Sequence, residues 1–90
     1  MKQTVSPEII ERIRQMEVCF DTLQQAIEQN PAARTEPWFE AQLQTLLSYY
    51  DGGRWLHDYT LDEKGLLPPD LKRGVLSQDG VYNFLTTLDR

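Results

Sequence analysis

Reactive side chains are scarce in this chain of 90 residues, which contains one cysteine, Cys19, and one histidine, His57. A single cysteine cannot form an internal disulfide or build a cysteine zinc site. No apolar run approaches the roughly 20 residues that span a bilayer, and residues 1–4 are polar, unlike the start of a signal peptide. These features argue against a secreted disulfide scaffold and a membrane protein. We expect a cytoplasmic protein that folds as one helical domain over residues 1–90.

Basic residues are also in short supply, because nine lysines and arginines stand against fourteen aspartates and glutamates, for a net charge of −5. Binding to nucleic acid requires clustered basic side chains that displace counterions from phosphates, and Lys72-Arg73 is the only adjacent basic pair. We therefore expect neither nucleic acid nor membrane as a partner. A negative surface attracts basic proteins, although the same charge would also serve solubility alone.

The negative charge is unevenly distributed along the chain. Residues 15–50 contain five acids and one base, Arg34, for a net charge of −4, whereas residues 51–90 contain seven acids and five bases, for a net charge of −2. Opposite charge speeds the encounter of two proteins. The acidic segment 15–50 is therefore the better candidate for a surface that meets a basic partner.

The first predicted helix is marked by capping residues and by a long apolar seam. Ser6 is a favourable N-cap residue, and Pro7 suits the first helical position, where an N–H is not needed. Asn30-Pro31 ends the helix, because proline disfavours helical geometry in the residue before it. Apolar residues recur between these limits at steps of four and three, as in a helix that packs on another helix: Ile9, Ile13, Met16, Phe20, Leu23 and Ile27.

A second helix is predicted to begin near Thr35, its N-cap, and to end at residues 51–53, where glycine favours the left-handed C-cap. Its apolar stripe consists of Phe39, Leu43, Leu46 and Tyr50. The connection between the two helices is short, which predicts that they form an antiparallel hairpin.

The last third of the chain has a weaker pattern. We expect residues 54–76 to be irregular, since Pro68-Pro69 forbids regular structure at that point. Within this stretch Trp55, Leu56 and Tyr59 would form either a short helical turn or an extended arm. A short C-terminal helix starts at Ser77 and presents Val81, Phe84, Leu85 and Leu88. The predicted fold is therefore all-α: an antiparallel two-helix hairpin plus an irregular segment and a short C-terminal helix, in a small bundle.

Two stretches of the sequence resemble a known family. Glu11-Arg12-Ile13 and Met16-Glu17 match its ERI..ME opening, and residues 49–85 match its core, YY..G.W..DY..DE.G.LP.DLKRGVLS.D..Y..L. The DLKRGVLS segment at residues 70–77 is the most specific part. The chain thus resembles a family of small bacterial all-helical proteins defined as a domain of unknown function. The resemblance implies a mostly helical fold and supplies no activity or catalytic residue.

The sequence contains no convincing catalytic or metal-binding pattern. Nucleophilic catalysis would need His57 beside Cys19 or a serine, but Cys19 flanks the apolar seam and is expected to pack as a small hydrophobe. The carboxylates of Asp58, Asp62 and Glu63 lack the spacing of a calcium loop. We therefore expect no enzyme, no cofactor and no metal site.

The segment Lys72-Arg73-Gly74 has two interpretations. As a functional site it would be a clamp for phosphate or carboxylate, because arginine offers a planar fork of donors. As a structural element, Arg73 would tie down the irregular segment by pairing with Asp58 or Asp62. A long loop in a small domain must satisfy its backbone, so we favour the structural interpretation.

Four aromatic residues lie within eleven positions, and such residues either anchor interfaces or cover small cores. We expect Tyr50 and Trp55 to lie in the core and Tyr49 and Tyr59 to be surface candidates. The glycines at residues 51–54 follow a helix rather than opening one, which argues against a phosphate-binding loop.

The favoured function is a small acidic protein-binding module that docks a basic partner. In a concrete version, it is an inhibitor or immunity protein that neutralises a basic toxin. One alternative is a small-molecule or metal-binding enzyme that uses residues 54–76, and another is a homodimeric structural protein formed through the seam of the first helix. The candidate partner-binding residues are Glu17, Asp21, Glu28, Glu40, Tyr49 and Tyr59.

Overall fold

The computed structural model describes residues 5–77 and 79–88, and every regular element within these ranges is helical. This confirms the predicted all-α class. No helix in the described ranges combines the length and the apolar character needed to cross a membrane. The elements are α1 (Pro7–Gln29), a 3₁₀ helix (Pro31–Thr35), α2 (Pro37–Asp51), α3 (Arg54–Glu63), a second 3₁₀ helix (Gly74–Leu76) and α4 (Gly80–Leu88).

The bounds of α1 follow its capping residues. The Ser6 Oγ accepts a hydrogen bond from the Glu8 N–H at 3.2 Å, and Pro7 takes the first helical position. Asn30 is extended and ends the helix, and its side-chain oxygen accepts from the Ala32 N–H at 3.1 Å. Asn30 therefore both stops α1 and starts the 3₁₀ helix that leads to α2.

The start of α2 differs slightly from the prediction. Thr35 is not its N-cap but the last residue of the 3₁₀ helix, where its hydroxyl donates to the Ala32 carbonyl oxygen at 2.8 Å. Glu36 takes the N-cap position, without a side-chain capping bond, and Pro37 opens the helix. The Thr35 hydroxyl thus bonds to a backbone carbonyl of the 3₁₀ turn instead of capping α2.

The structure corrects the expectation that residues 54–76 are irregular, because Arg54–Glu63 form α3. Gly53 has a φ of 92°, in the left-handed region that glycine adopts without steric cost. Gly52 is the C-cap of α2 and Gly53 is the N-cap of α3, so this segment follows one helix, as expected, and also opens the next. The last helix also begins later than predicted, at Gly80 rather than Ser77.

The core is built around α1, which packs against α2 and against both 3₁₀ helices. Phe20 of α1 meets Phe84 of α4 edge to face, with 5.6 Å between ring centroids. Val18 falls on the opposite side of α1 and is 64% exposed. The largest fully buried side chains are Tyr49, Phe39, Ile13, Leu23, Leu46, Leu76, Val75, Val81 and Asp58.

Val75, in the second 3₁₀ helix, is the point at which α1 and α3 are joined. Its N–H donates to Glu17 Oε1 at 2.8 Å, and its carbonyl oxygen accepts from Trp55 Nε1 at 2.8 Å. Buried backbone groups need hydrogen-bond partners, and here both partners are side chains from other elements. Glu17 and Trp55 therefore fix the segment that precedes α4.

Candidate functional site

An open depression of about 420 Å³ lies where α1 ends, the first 3₁₀ helix turns and α2 begins. We call it the Trp38 depression. Its described lining contains one ionisable side chain, the carboxylate of Glu36, and otherwise consists of amides, a hydroxyl, two alanines and an indole. The lining residues are Thr22, Gln25, Ala26, Gln29, Asn30, Ala33, Glu36 and Trp38.

Trp38 is 46% exposed, whereas its neighbour Phe39 is 1% exposed. Consecutive residues of an α-helix point about 100° apart, so Phe39 enters the core while Trp38 stays at the surface. Their rings meet at an angle of 70° with 5.8 Å between centroids. Trp38 was not among the predicted partner residues, although it shares a polar face of α2 with Gln42 and Thr45, which indicates exposure.

Residues 15–50, the acidic segment of the chain, contribute carboxylates from both α1 and α2. Glu36 lines the depression, and Glu40 lies one turn further along α2, where its Oε2 accepts from Gln44 Nε2 at 2.8 Å. Asp21 and Glu28 are seven residues apart and so share one face of α1. Glu28 and Glu40 are exposed and Asp21 is half-buried, which leaves these three predicted partner residues at the surface.

Glu17 was predicted to contact a partner at the surface, and the structure instead places it in the interior. Its side chain is buried, because Oε1 accepts the Val75 N–H. The sequence did contain the signal, since Glu17 lies four residues after Ile13 and three before Phe20, on the apolar seam itself. An acid on a seam is expected to have a buried partner.

Tyr49 was also expected at the surface and is instead 2% exposed. Its hydroxyl donates to Asp58 Oδ2 at 2.6 Å. The Asp58 side chain, which is fully buried, also accepts from Arg12 through Nε at 3.0 Å and through Nη2. His57 Nδ1 lies 3.1 Å from Asp58 Oδ1, and it donates because an ionised carboxylate only accepts. We call these four residues the Asp58 cluster.

Three groups of the Asp58 cluster have shifted pKa values. Burial alone would raise the pKa of Asp58, but hydrogen bonds from Arg12, Tyr49 and His57 outweigh it and hold that pKa below its usual range. Burial and the hydrogen bond to Asp58 raise the pKa of the Tyr49 hydroxyl. The hydrogen bond to Asp58 likewise raises the pKa of Arg12. The cluster is therefore an ion pair with a neutral phenol, an arrangement that joins α1, α2 and α3.

Of the predicted loop pairs, the structure brings together Arg73 and Asp62. Arg73 Nη1 donates to Asp62 Oδ1 at 2.6 Å, and its other nitrogens donate to backbone carbonyl oxygens, including those of Pro68 at 3.1 Å and Leu71 at 3.3 Å. Asp58 is not part of this loop contact, because Arg12 holds it. One guanidinium thus donates hydrogen bonds to several backbone carbonyl oxygens of a loop that has no regular structure.

The other two tyrosines, Tyr50 and Tyr59, contact Trp55, which is 9% exposed. Trp55 stacks on Tyr59 with centroids 5.0 Å apart and meets Tyr50 at an angle of 61°. Tyr50, expected in the core, is only half-buried, as is Tyr59. The Tyr59 hydroxyl donates to Glu63 Oε2 at 3.0 Å, and this bond raises its pKa.

The structure does not bring Cys19 and His57 together. Cys19 is buried, and its Sγ donates to the Gln42 carbonyl oxygen at 3.3 Å, whereas His57 is bonded to Asp58. Burial raises the pKa of the Cys19 thiol, which disfavours the reactive thiolate. Within residues 5–77 and 79–88, no group of three or more histidine, cysteine, aspartate or glutamate side chains is placed to hold a metal ion.

Comparison with known proteins places this small helical chain in a family. A family model described as a domain of unknown function (DUF4298) matches residues 13–90. The match covers most of the chain, so the protein belongs to this family. No curated protein and no solved structure matches the chain.

Proposed function

We propose that the protein is a small acidic protein-binding module, and that its Trp38 depression receives a basic side chain of a partner protein. The observation that carries this proposal is a half-exposed tryptophan beside the carboxylate of Glu36, in a depression whose described lining includes no basic side chain. A lysine or arginine over the indole face gains a cation–π interaction. The same cation can form a charge-assisted hydrogen bond with Glu36.

The acids outside the depression support the choice of a basic partner. Glu28 and Glu40 are exposed on the two helices that border it, and residues 15–50 carry a net charge of −4. Such a field steers a cationic partner during encounter and raises the association rate more than the final affinity. The amides of Gln25 and Gln29 offer donors and acceptors to the backbone of the bound segment.

The proposed module acts as a monomer in the cytoplasm and is not an enzyme. The α1 seam that would form a homodimer is occupied within the chain, since Ile13 and Leu23 are fully buried. We propose that α1 and α2 run antiparallel, because Cys19 contacts Gln42 while Arg12 and Tyr49 meet at the same carboxylate. Light scattering is expected to give the mass of one chain.

A fluorescence titration tests the proposal with a defined probe, a peptide of seven lysine-serine repeats. Trp38 is exposed and Trp55 is buried, so a ligand in the depression acts mainly on the Trp38 emission. We expect a saturable change that weakens with salt and is absent with seven glutamate-serine repeats. Trp38→Ala should remove most of the binding, measured for that variant by calorimetry, and Glu36→Gln should weaken it.

Matched variants separate the depression from general attraction between opposite charges. Leu56→Ala removes another exposed apolar side chain, 59% exposed on α3, and Glu11→Gln removes a carboxylate from outside the depression. Both should bind the basic peptide as the wild type does. Equal binding by Trp38→Ala and wild type would show charge attraction alone and contradict the proposed site.

The inhibitor or immunity version makes a narrower claim, that the partner is a basic toxin acting on nucleic acid and encoded beside this protein. Co-expression with the product of the neighbouring gene tests it. We expect the two chains to co-purify at low salt, the toxin activity to be suppressed, and Trp38→Ala to abolish both effects. Separation of the two chains at low salt would contradict this version.

A further inference from the structure

A second open depression, of about 340 Å³, lies over the Asp58 cluster between α1, the end of α2 and the start of α3. We call it the two-arginine depression. The charged side chains in its described lining are Arg12 and Arg54, and no carboxylate is among them, although the chain as a whole has a net charge of −5. Asp58, beneath the depression, balances the charge of Arg12, so the lining carries one net positive charge, from Arg54, on an acidic protein.

Arg54 supplies a positive charge at this site that no described carboxylate pairs with. Its side chain is exposed and forms no ion pair with the described residues. Arg54 lines the depression together with Tyr49. The hydroxyl of Ser48, also in the lining, makes no hydrogen bond with described residues.

Arg12 is held rigidly and still has donors to offer. Its Nε and Nη2 donate to Asp58, and its side chain is 27% exposed. A guanidinium has five N–H donors, so those not used by Asp58 remain for a ligand. A rotamer fixed by a buried partner loses little conformational entropy when a ligand binds.

We infer that the two-arginine depression binds a phosphate group, either as the free anion or as part of a small phosphomonoester. Two guanidinium groups and a hydroxyl supply directed donors to the oxygens of one tetrahedral anion. α3 begins without a side-chain cap at Arg54, which lines the depression, so the positive end of its helix dipole adjoins the site. The site is separate from the Trp38 depression and does not depend on the function proposed there.

Nuclear magnetic resonance with the ¹⁵N-labelled full chain tests this inference. Sodium phosphate is titrated in the millimolar range, and sodium chloride at matched ionic strength serves as the reference. We expect saturable amide shifts limited to residues 12–16, 45–49 and 53–56. Phenyl phosphate is titrated in parallel: tighter binding than inorganic phosphate identifies a phosphomonoester site, and equal binding identifies a site for the free anion.

Arg54→Gln is the decisive variant, because the Arg54 side chain pairs with none of the described residues and its loss leaves the Asp58 cluster intact. We expect it to weaken phosphate binding by about 10- to 100-fold. Lys64→Gln removes the same charge from the exposed end of α3 and should bind as the wild type does. Shifts that do not saturate, an Arg54→Gln affinity equal to the wild type, or equal weakening by Lys64→Gln would each overturn the inference.

Discussion

Arg12 and Asp58 are 46 positions apart in the sequence and are joined through two nitrogens of one guanidinium. Asp58 is completely buried, while the Arg12 side chain is 27% exposed. The hydroxyl of Tyr49 completes the set of donors. Three helices therefore meet at a single carboxylate, and the relative position of α1 and α3 depends on it.

Asp58→Asn is expected to destabilise the protein by about 2–4 kcal/mol. The change leaves Arg12 with a neutral partner and buries an amide NH₂ that faces other donors. This expected loss of stability is smaller than for a fully buried ion pair, because the Arg12 side chain reaches solvent. Urea unfolding followed by circular dichroism measures the loss. Asp70→Asn, at an exposed site, should change stability by less than about 0.5 kcal/mol. Equal stability of Asp58→Asn and wild type would mean that the ion pair contributes nothing.

The lowered pKa of Asp58 predicts a dependence of stability on acid pH. The unfolded carboxyl titrates near 3.9, and the folded one titrates lower. The contribution of Asp58 is therefore complete above about pH 4 and is lost as the pH falls towards the folded pKa. Unfolding free energies measured across this range should fall less steeply in Asp58→Asn than in the wild type. Parallel pH profiles would contradict the assigned protonation state.

The raised pKa of Tyr49 predicts that this phenol stays protonated in the folded protein at alkaline pH. An unfolded tyrosine ionises near pH 10, so the stability contributed by the buried neutral phenol is lost as the pH rises above that value. In a titration of phenolate absorbance, Tyr49→Phe should show the same native amplitude as the wild type. A smaller amplitude in the variant would show that Tyr49 ionises while the protein is folded.

Arg73→Lys is expected to be nearly as destabilising as Arg73→Ala, with each losing about 1–3 kcal/mol. Lysine keeps the charge facing Asp62 but cannot direct fixed donors at both the Pro68 and Leu71 carbonyl oxygens. Thermal unfolding measures both variants, and Lys72→Ala, at an exposed neighbouring position, is the control. If Arg73→Lys matched the wild type, charge alone would explain the contact.

Gly74 and Glu17 are expected to show energetic coupling in a double-mutant cycle. A Cβ at position 74 would lie 3.1 Å from Glu17 Oε2, and the other oxygen of that carboxylate is held by Val75. Gly74→Ala should therefore cost about 1 kcal/mol in the wild type and much less in Glu17→Ala. Denaturant unfolding of the four proteins gives the coupling free energy. Additive effects would show that the carboxylate moves aside freely.

The sequence predicted α1 well because its periodicity, N-cap and proline all agree. It did not predict α3, because the inner face of that helix carries Asp58 beside Trp55. A hydrophobic pattern counts an aspartate as outward-facing, and its partner Arg12 is remote in the chain. Glu17 was also missed: its place on the α1 seam was visible, but its donor, the Val75 N–H, lies 58 positions further along the chain.

The candidate sites were less predictable than the fold. The proposed roles of Trp38 and Arg54 depend on the residues beside them in the fold. Each depression is lined by chain segments that meet only through tertiary packing. The acidic character of residues 15–50 was readable from composition, whereas the basic depression over Asp58 was not, because Arg12 and Arg54 are far apart in the chain. Charge counted along a sequence averages over such opposite patches.

Gly53 adopts a φ of 92°, yet apart from its chain neighbours no described atom lies within 4 Å of the position that an L β-carbon would occupy. An L-alanine there would strain the backbone by about 1–2 kcal/mol, although there is room for its methyl group. A D-alanine fits the left-handed dihedral angle, and it would stabilise the fold by restricting the unfolded chain. The junction of α2 and α3 is thus sensitive to the chirality of its residue and indifferent to its bulk.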